Sequence, residues 1–573
     1  MHDLVIRGGT IVDGTGRPAF TGDVAIDGDR IVSVGGKAGP ARRDIDAAGH
    51  LVTPGWVDIH THYDGQATWD PVLAPSSWHG ATTILFGNCG VGFAPVKKEH
   101  HEALIDLMEG VEDIPGIALA EGLKWDWESF PDFLNVLEQM PRTIDVAAQI
   151  PHHPLRVFVM GERALKHQIA TDEDISNMHD LALEGLQAGA FGFTTSRTEN
   201  HRTMAGEQVP GRYSENKELL GIGAALGKVG AGAFGMLSDF EDEAEEFAWM
   251  TSQYRATGRP LWFLLTDRST DPERWKRLMG GVHKARAEGA AITAQVACRP
   301  VGLILGLTTS LNPFTPKPTF HALSKLPNAE RLAKLRDPAI RAQILNEEND
   351  PRLFDIMTPL QRFICARFDR QYPLGDPPDY EPTADRSIDA MAARTNQTPA
   401  EFCYDYLTGE DGTRMLYFPI TNYVHGDHEV VRQMLADPAT LVGLGDGGAH
   451  CAQICDSSMP SFMLTHWVRD RTRGPRFPLE WIVKRQTSET ADFFGFSDRG
   501  RLLPGKKADV NVINYETLRL HHPELLNDLP AGGKRLVQRV DGYKATIVSG
   551  VPIFENGNET GARPGKLVRA GRL

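Results

Sequence analysis

Two histidines one residue apart, His60 and His62, close the apolar segment that begins Gly55-Trp56-Val57-Asp58-Ile59. On an extended chain, side chains alternate faces, so both imidazoles point the same way and can hold one metal ion between them. The next strand-like run, Gly80 to Gly90, ends in Asn88-Cys89-Gly90, and a Cys89 thiolate is a third candidate ligand. Much later, Leu441-Val442-Gly443-Leu444-Gly445 runs into Asp446. That carboxylate can bind metal and can also take a proton from a metal-activated water, then pass it to a leaving nitrogen. Three protein ligands with one position left open are the pattern of a catalytic zinc site. Each residue also has a plainer reading: a lone strand-end histidine usually hydrogen-bonds at the surface, a cysteine beside glycine packs, and an aspartate in a glycine turn caps a helix. The ordered set favours metal.

Eight apolar strand candidates alternate with helical stretches and would position these groups: Gly55 to His60, Thr82 to Phe86, Ile144 to Ile150, Ala190 to Thr194, Gly232 to Leu237, Leu261 to Leu265, Ala291 to Ala297 and Leu441 to Gly445. Alternation of this kind predicts an α/β fold with a parallel sheet. Eight strands fit a closed (β/α)8 TIM-type barrel, with the candidate residues at strand C-terminal ends, where such barrels place their chemistry. Residues 1–52 and 500–573 instead alternate apolar and polar residues around Gly-Gly, Asp-Gly and Gly-Asp turns, which predicts a small β-sandwich domain built from both ends. The barrel region, 53–499, carries insertions at about 96–140 and 301–425, long enough to be helical decoration or active-site lids.

The chain has 573 residues and a formal net charge of −15, which argues against a nucleic-acid partner because phosphate binding needs a basic face. No apolar run is long enough to span a membrane and no basic-then-apolar leader opens the chain, so a cytoplasmic location is expected. The six cysteines are scattered, and Cys451-x-x-x-Cys455 lacks a companion pair with zinc-finger spacing.

The order of His-x-His, Asn-Cys-Gly and Gly-x-Gly-Asp-Gly, with the opening Asp3 to Gly16 and the closing Gly505 to Val510 and Val548 to Pro552, resembles the amidohydrolase superfamily, and within it the N-acyl-D-amino-acid deacylase (D-aminoacylase) family. The resemblance covers nearly the whole chain. It implies a metal-dependent hydrolase that cleaves the amide C–N bond of a small molecule, with metal ligands among His60, His62, Cys89 and Asp446 and with Asp446 as the catalytic proton carrier. One zinc is expected, with two as the alternative. Family members carry further histidines at the ends of the fifth and sixth strands, where this chain has Leu237-Ser238-Asp239 and Leu265-Thr266-Asp267-Arg268. Either one metal suffices here, or Ser238, Asp239, Thr266 or Asp267 supplies oxygen ligands instead. Arg197 and Arg268 are candidate grips for a substrate carboxylate, and His152, His153 and His450 are candidate substrate-facing groups. Hydrolysis of a lactone, carbamate or cyclic imide on the same site is the alternative activity, a non-catalytic binding protein the alternative class, and a homo-oligomer is compatible with either.

Overall fold

A computed structural model describes residues 1–571. Eight parallel strand positions run in chain order: Trp56–Asp58, Ala81–Phe86, Asp145–Ala148 continued after Gln149 by Ile150–Pro151, Gly192–Arg197, Ala233–Ser238, Leu261–Leu265, Ile292–Val296 and Thr440–Val442. Every pairing between sequential neighbours is parallel. The eighth position returns to the first through a parallel bridge between Thr61 and Gly447. All eight predicted strands are present, with boundaries shifted by a few residues.

Helices separate these strands, and their ends follow local chemistry. Helix Asp172–Ala188 begins with a reciprocal cap in which Thr171 Oγ1 accepts from the Asp174 amide while Asp174 accepts from the Thr171 amide. It stops at Gly189, whose φ of 116° an L side chain rarely adopts. Between the fifth and sixth strands, Trp262 lies over Gly235, where a Cβ would fall 2.2 Å from its indole ring.

Both chain ends contribute to one nine-stranded sheet. Its junction is Leu51–Pro54 against Val510–Ile513, antiparallel, so the first and last parts of the chain share one set of backbone hydrogen bonds. The strands therefore join as a continuous sheet that encloses Leu4, Ile6, Val24, Ile26, Val510 and Ile547. The segment expected as the second insertion folds around a hydrophobic cluster of its own, with Leu305, Phe314, Tyr404 and Phe418 buried in it. Its strands Gly302–Gly306, Tyr372–Pro373 and Met415–Pro419 form a three-stranded sheet, and five helices lie between residues 318 and 366. Among the described residues, no helix is long and apolar enough to cross a membrane.

A buried ion network ties the terminal sheet to the parallel strands. Asp145 accepts from Arg499 at 2.6 Å and Lys507 at 2.8 Å, and Arg499 also reaches Thr83 Oγ1 at 2.8 Å. Burial raises the Asp145 carboxyl, but Lys507 and Arg499 outweigh it and hold the group below the usual carboxylate range. The stabilisation is therefore complete above the ordinary carboxylate value and fades as pH falls toward the folded-state value. Removing one partner of such a pair leaves buried charge uncompensated, so Asp145→Asn is expected to cost about 3–5 kcal/mol at neutral pH. Denaturant midpoints for the two proteins check this, and the gap between them narrows on acidification.

Candidate metal centre

The strand that leads to the histidines ends at Asp58, before His60. The chain beyond it is kept extended by bonds to both neighbours: the Thr61 amide donates to Leu85 O, the His62 amide to Gly447 O at 2.7 Å, and the Asp446 amide to His60 O. The alternation that aims His60 and His62 to one side thus comes from the closing contact between the first and eighth strand positions. Cys89 sits in the turn after the second strand, at a φ of 54°. Asn88 secures that turn by donating to Thr61 O and Leu85 O. Glycine is required on both sides: at Gly87 a Cβ would meet Gln149 O at 2.2 Å, and at Gly90 it would press on Thr195 Cα at 3.0 Å.

His60, His62 and Cys89 present donor atoms within one small buried space. Cys89 Sγ lies 3.5 Å from His60 Nε2. Asp446 Oδ1 lies 3.5 Å from His60 Nε2 and 3.7 Å from His62 Nε2. A tetrahedral ion with bonds of about 2.0–2.3 Å has edges of about 3.3–3.7 Å, so these separations suit one zinc-sized ion. Asp446 holds its place at a φ of 42°, an unusual conformation for a side-chain-bearing residue.

Two further groups were invisible to the sequence reading. Gln295, at the end of the seventh strand, pairs through Oε1 with His60 Nδ1 at 2.6 Å. An Nδ1–H donated there leaves the Nε2 lone pair facing Cys89 and Asp446, the arrangement in which a histidine ligates. Glu112 ends the helix His101–Glu112 of the first insertion and is fully buried. Its Oε1 lies 3.4 Å from His62 Nδ1 and its Oε2 3.6 Å from His450 Nε2. The insertion is fastened over the site by backbone bonds, from the His450 amide to Glu112 O and from the Cys451 amide to Asp113 O at 3.2 Å. A lone amide in the apolar run Ala291 to Ala297 was the available signal for Gln295; for Glu112 there was none.

The electrostatics call for a cation. Burial pushes Asp446 and Glu112 well above ordinary carboxyl values, and Asp64 to about 8. Burial, then Glu112, Asp446 and Asp64, drives the Cys89 thiol well above its usual range. Burial lowers His60 to about 3, and lowers His62 well below its usual value. Neutral imidazoles beside a thiol and three buried acids form a donor set that a dication would complete, drawing the acids and the thiol into their ionised forms. The buried Nδ1 of His62, Oε1 of Glu112 and Oδ2 of Asp64 have no hydrogen-bond partner.

The other candidates divide. His153 lies against the Cys89 turn: its Nδ1 accepts from the Gly211 amide, and its buried Nε2 has no partner. His152 is taken up elsewhere, between Thr195 Oγ1 at 2.8 Å and Glu218 at 2.9 Å. Arg197 is paired with Glu246 at 2.6 Å and Asn216 at 2.8 Å. Arg268 has a looser contact, 3.4 Å from Asp239. Of the oxygen groups at the ends of the fifth and sixth strands, Ser238 donates to Glu246, Asp239 accepts from Thr198 and the Glu199 amide, and Asp267 accepts from the Val424 amide.

A family model described as "Amidohydrolase family" matches residues 43–554, and the chain belongs to that family. Among characterised proteins it is similar to the D-aminoacylase of Alcaligenes xylosoxydans xylosoxydans, with 25% identity across 99% of this chain and 97% of that one. It is also 26% identical to the N-acyl-D-glutamate deacylase of the same organism, over 99% of this chain and 96% of the relative. Among solved structures, the N-acyl-D-glutamate deacylase of Bordetella bronchiseptica, complexed with zinc and a phosphonate inhibitor, shares the fold with a TM-score of 0.64 at 23% identity, covering 99% and 100% of the two chains.

Proposed function

We propose that this protein is a metal-dependent amidohydrolase that removes the acyl group from a small N-acyl amino acid, holding one zinc ion on His60, His62 and Cys89 with Asp446 as proton carrier. The observation that carries this reading is the buried group of His60, His62 and Cys89, with Asp446 Oδ1 set 3.5 Å from His60 Nε2 and 3.7 Å from His62 Nε2. The two full-length relatives, a D-aminoacylase and an N-acyl-D-glutamate deacylase, support the amide substrate. Engagement of Ser238 and Asp239 with other partners supports one ion at this site rather than two.

When bound, zinc would polarise the substrate carbonyl and make water nucleophilic at neutral pH. The chain's own groups do the rest. Asp446 Oδ1, placed between the two histidines, takes the proton of the attacking water and returns it to the departing nitrogen, without which an amine anion would have to leave. Gln295 fixes the His60 ring, while Glu112 and His450 wall the site under the first insertion. We assign Arg268 to the substrate carboxylate, because its contact with Asp239 is long where that of Arg197 with Glu246 is short. The reading takes residues 53–499 as a closed (β/α)8 barrel and residues 1–52 with 500–573 as the small β domain. The Thr61–Gly447 bridge and the shared terminal sheet support it.

Gln295→Leu removes the acceptor for His60 and is expected to weaken zinc binding by about 10–100-fold, read by competition with a chromogenic chelator. The substrate assignment is tested with a panel of N-acyl-D-amino acids, their L enantiomers, an anilide, a lactone and a cyclic imide. Turnover of a D-series substrate about 100-fold above its L enantiomer is expected. Turnover of the lactone or imide with every N-acyl amino acid inert would sink the deacylase reading.

A further inference from the structure

A second constellation of ligand-type side chains lies outside the site described above and shares no residue with it. Glu381, in the proline-rich part of the long insertion, meets His428, just before helix Glu429–Ala436, and His466, within the π-helix Met463–Asp470. His466 Nε2 stands 3.2 Å from His428 Nδ1 and 3.2 Å from Glu381 Oε2, and His428 Nδ1 stands 3.8 Å from Glu381 Oε2. These three edges, like those around His60, match one small tetrahedral ion.

The histidines are set up as ligands. His428 is fully buried, and its Nε2 faces Tyr380 O at 2.9 Å. A proton donated there leaves Nδ1 with its lone pair aimed at His466, which is how a backbone carbonyl fixes the tautomer of a metal-binding histidine. The His466 ring is held flat against Phe462, with centroids 4.6 Å apart and planes 12° from parallel. Glu381 has a lone pair to spare. Its Oε1 accepts from the His428 amide at 2.8 Å and from Arg471, while Oε2 accepts from Arg471 at 3.2 Å, which leaves one site on Oε2 toward the imidazoles. Arg471 offsets the carboxylate charge but occupies the side away from the rings. A cavity of about 740 Å3, lined by Glu381, Phe462, His466 and Arg473, gives an ion and its remaining water a way in.

We propose that Glu381, His428 and His466 bind a divalent transition metal ion of the zinc class, as a clip between the long insertion and the helix that follows the Asp446 loop. The site stands on its own, whatever the substrate of the first centre. Its residues come from three segments, so an ion here would fasten the insertion to the body of the protein.

The test uses the full chain, dialysed against zinc and then against metal-free buffer, with metal counted by mass spectrometry. Two equivalents are expected in the unaltered protein and one in His466→Gln, which keeps the size of the side chain without the imidazole. Substituted cobalt gives a second reading: a tetrahedral-type visible band should persist in His60→Ala/His62→Ala and vanish when His466→Gln is added. If His466→Gln does not fold, cobalt titration of His60→Ala/His62→Ala decides, with one equivalent and its band expected and neither found if the proposal is wrong. A single equivalent in the unaltered chain, or an equivalent and band unchanged by His466→Gln, overturns the proposal. A plain hydrogen bond between the two imidazoles would then account for their distance.

Discussion

Asp446→Asn is expected to lower kcat on an N-acyl amino acid by about 10²–10⁴-fold, the usual contribution of a positioned acid–base group, while leaving zinc content unchanged. Asparagine keeps the shape of the side chain in the turn and can still face His60 and His62, but it cannot carry a proton between water and leaving nitrogen. The geometry makes Asp446 the group to change: its Oδ1 lies 3.5 Å from His60 Nε2 and 3.7 Å from His62 Nε2. Steady-state kinetics with metal counted on the same sample is the check. A kcat within threefold of the unaltered enzyme at full metal content would remove Asp446 from the mechanism.

The second large effect belongs to the ligands. His60→Ala/His62→Ala should bind one zinc equivalent fewer than the unaltered protein, and its hydrolysis should fall to the background of the assay, since both the carbonyl polarisation and the nucleophile depend on the ion. The readout is a difference in stoichiometry, so it holds whether or not the Glu381 cluster carries an ion of its own. Loss of activity with no change in metal would mean that the two histidines serve the substrate directly. Cys89 should not rescue binding by itself, because burial and the neighbouring carboxylates disfavour its thiolate unless imidazoles share the ion.

The sequence made the repeating part of the molecule legible. Strands such as Leu261–Leu265, buried except for half-buried Leu264, and Ile292–Val296, buried throughout, read as short apolar runs, so their positions could be seen without their partners. His60, His62, Cys89 and Asp446 were visible because each ends such a run. Contacts that depend on distant partners were not visible. Glu112 sits on an ordinary amphipathic helix, and its burial follows from hydrogen bonds to a loop 339 residues away, one of which joins Asp113 to Ala452. Gln295 looks like any strand residue until His60 is placed opposite it. Arg197 and His152, which the sequence offers as substrate-facing groups, pair in the structure with Glu246 and Glu218, carboxylates whose place beside them nothing local announces.

The shared terminal sheet has a consequence for how the chain comes to be folded. Trp56, beside the first half of that sheet, donates to Tyr543, 487 residues further on. At a synthesis rate of roughly 5–20 residues per second, the strand Leu51–Pro54 waits roughly 25–100 s on the ribosome before Val510–Ile513 exists to cover its edge. Through that interval an apolar strand edge is open to pairing with other nascent chains. A product that stopped short of residue 510 would retain every group of the His60 centre yet lack the strand that closes its first sheet, and it would be lost to aggregation before its chemistry could be tried.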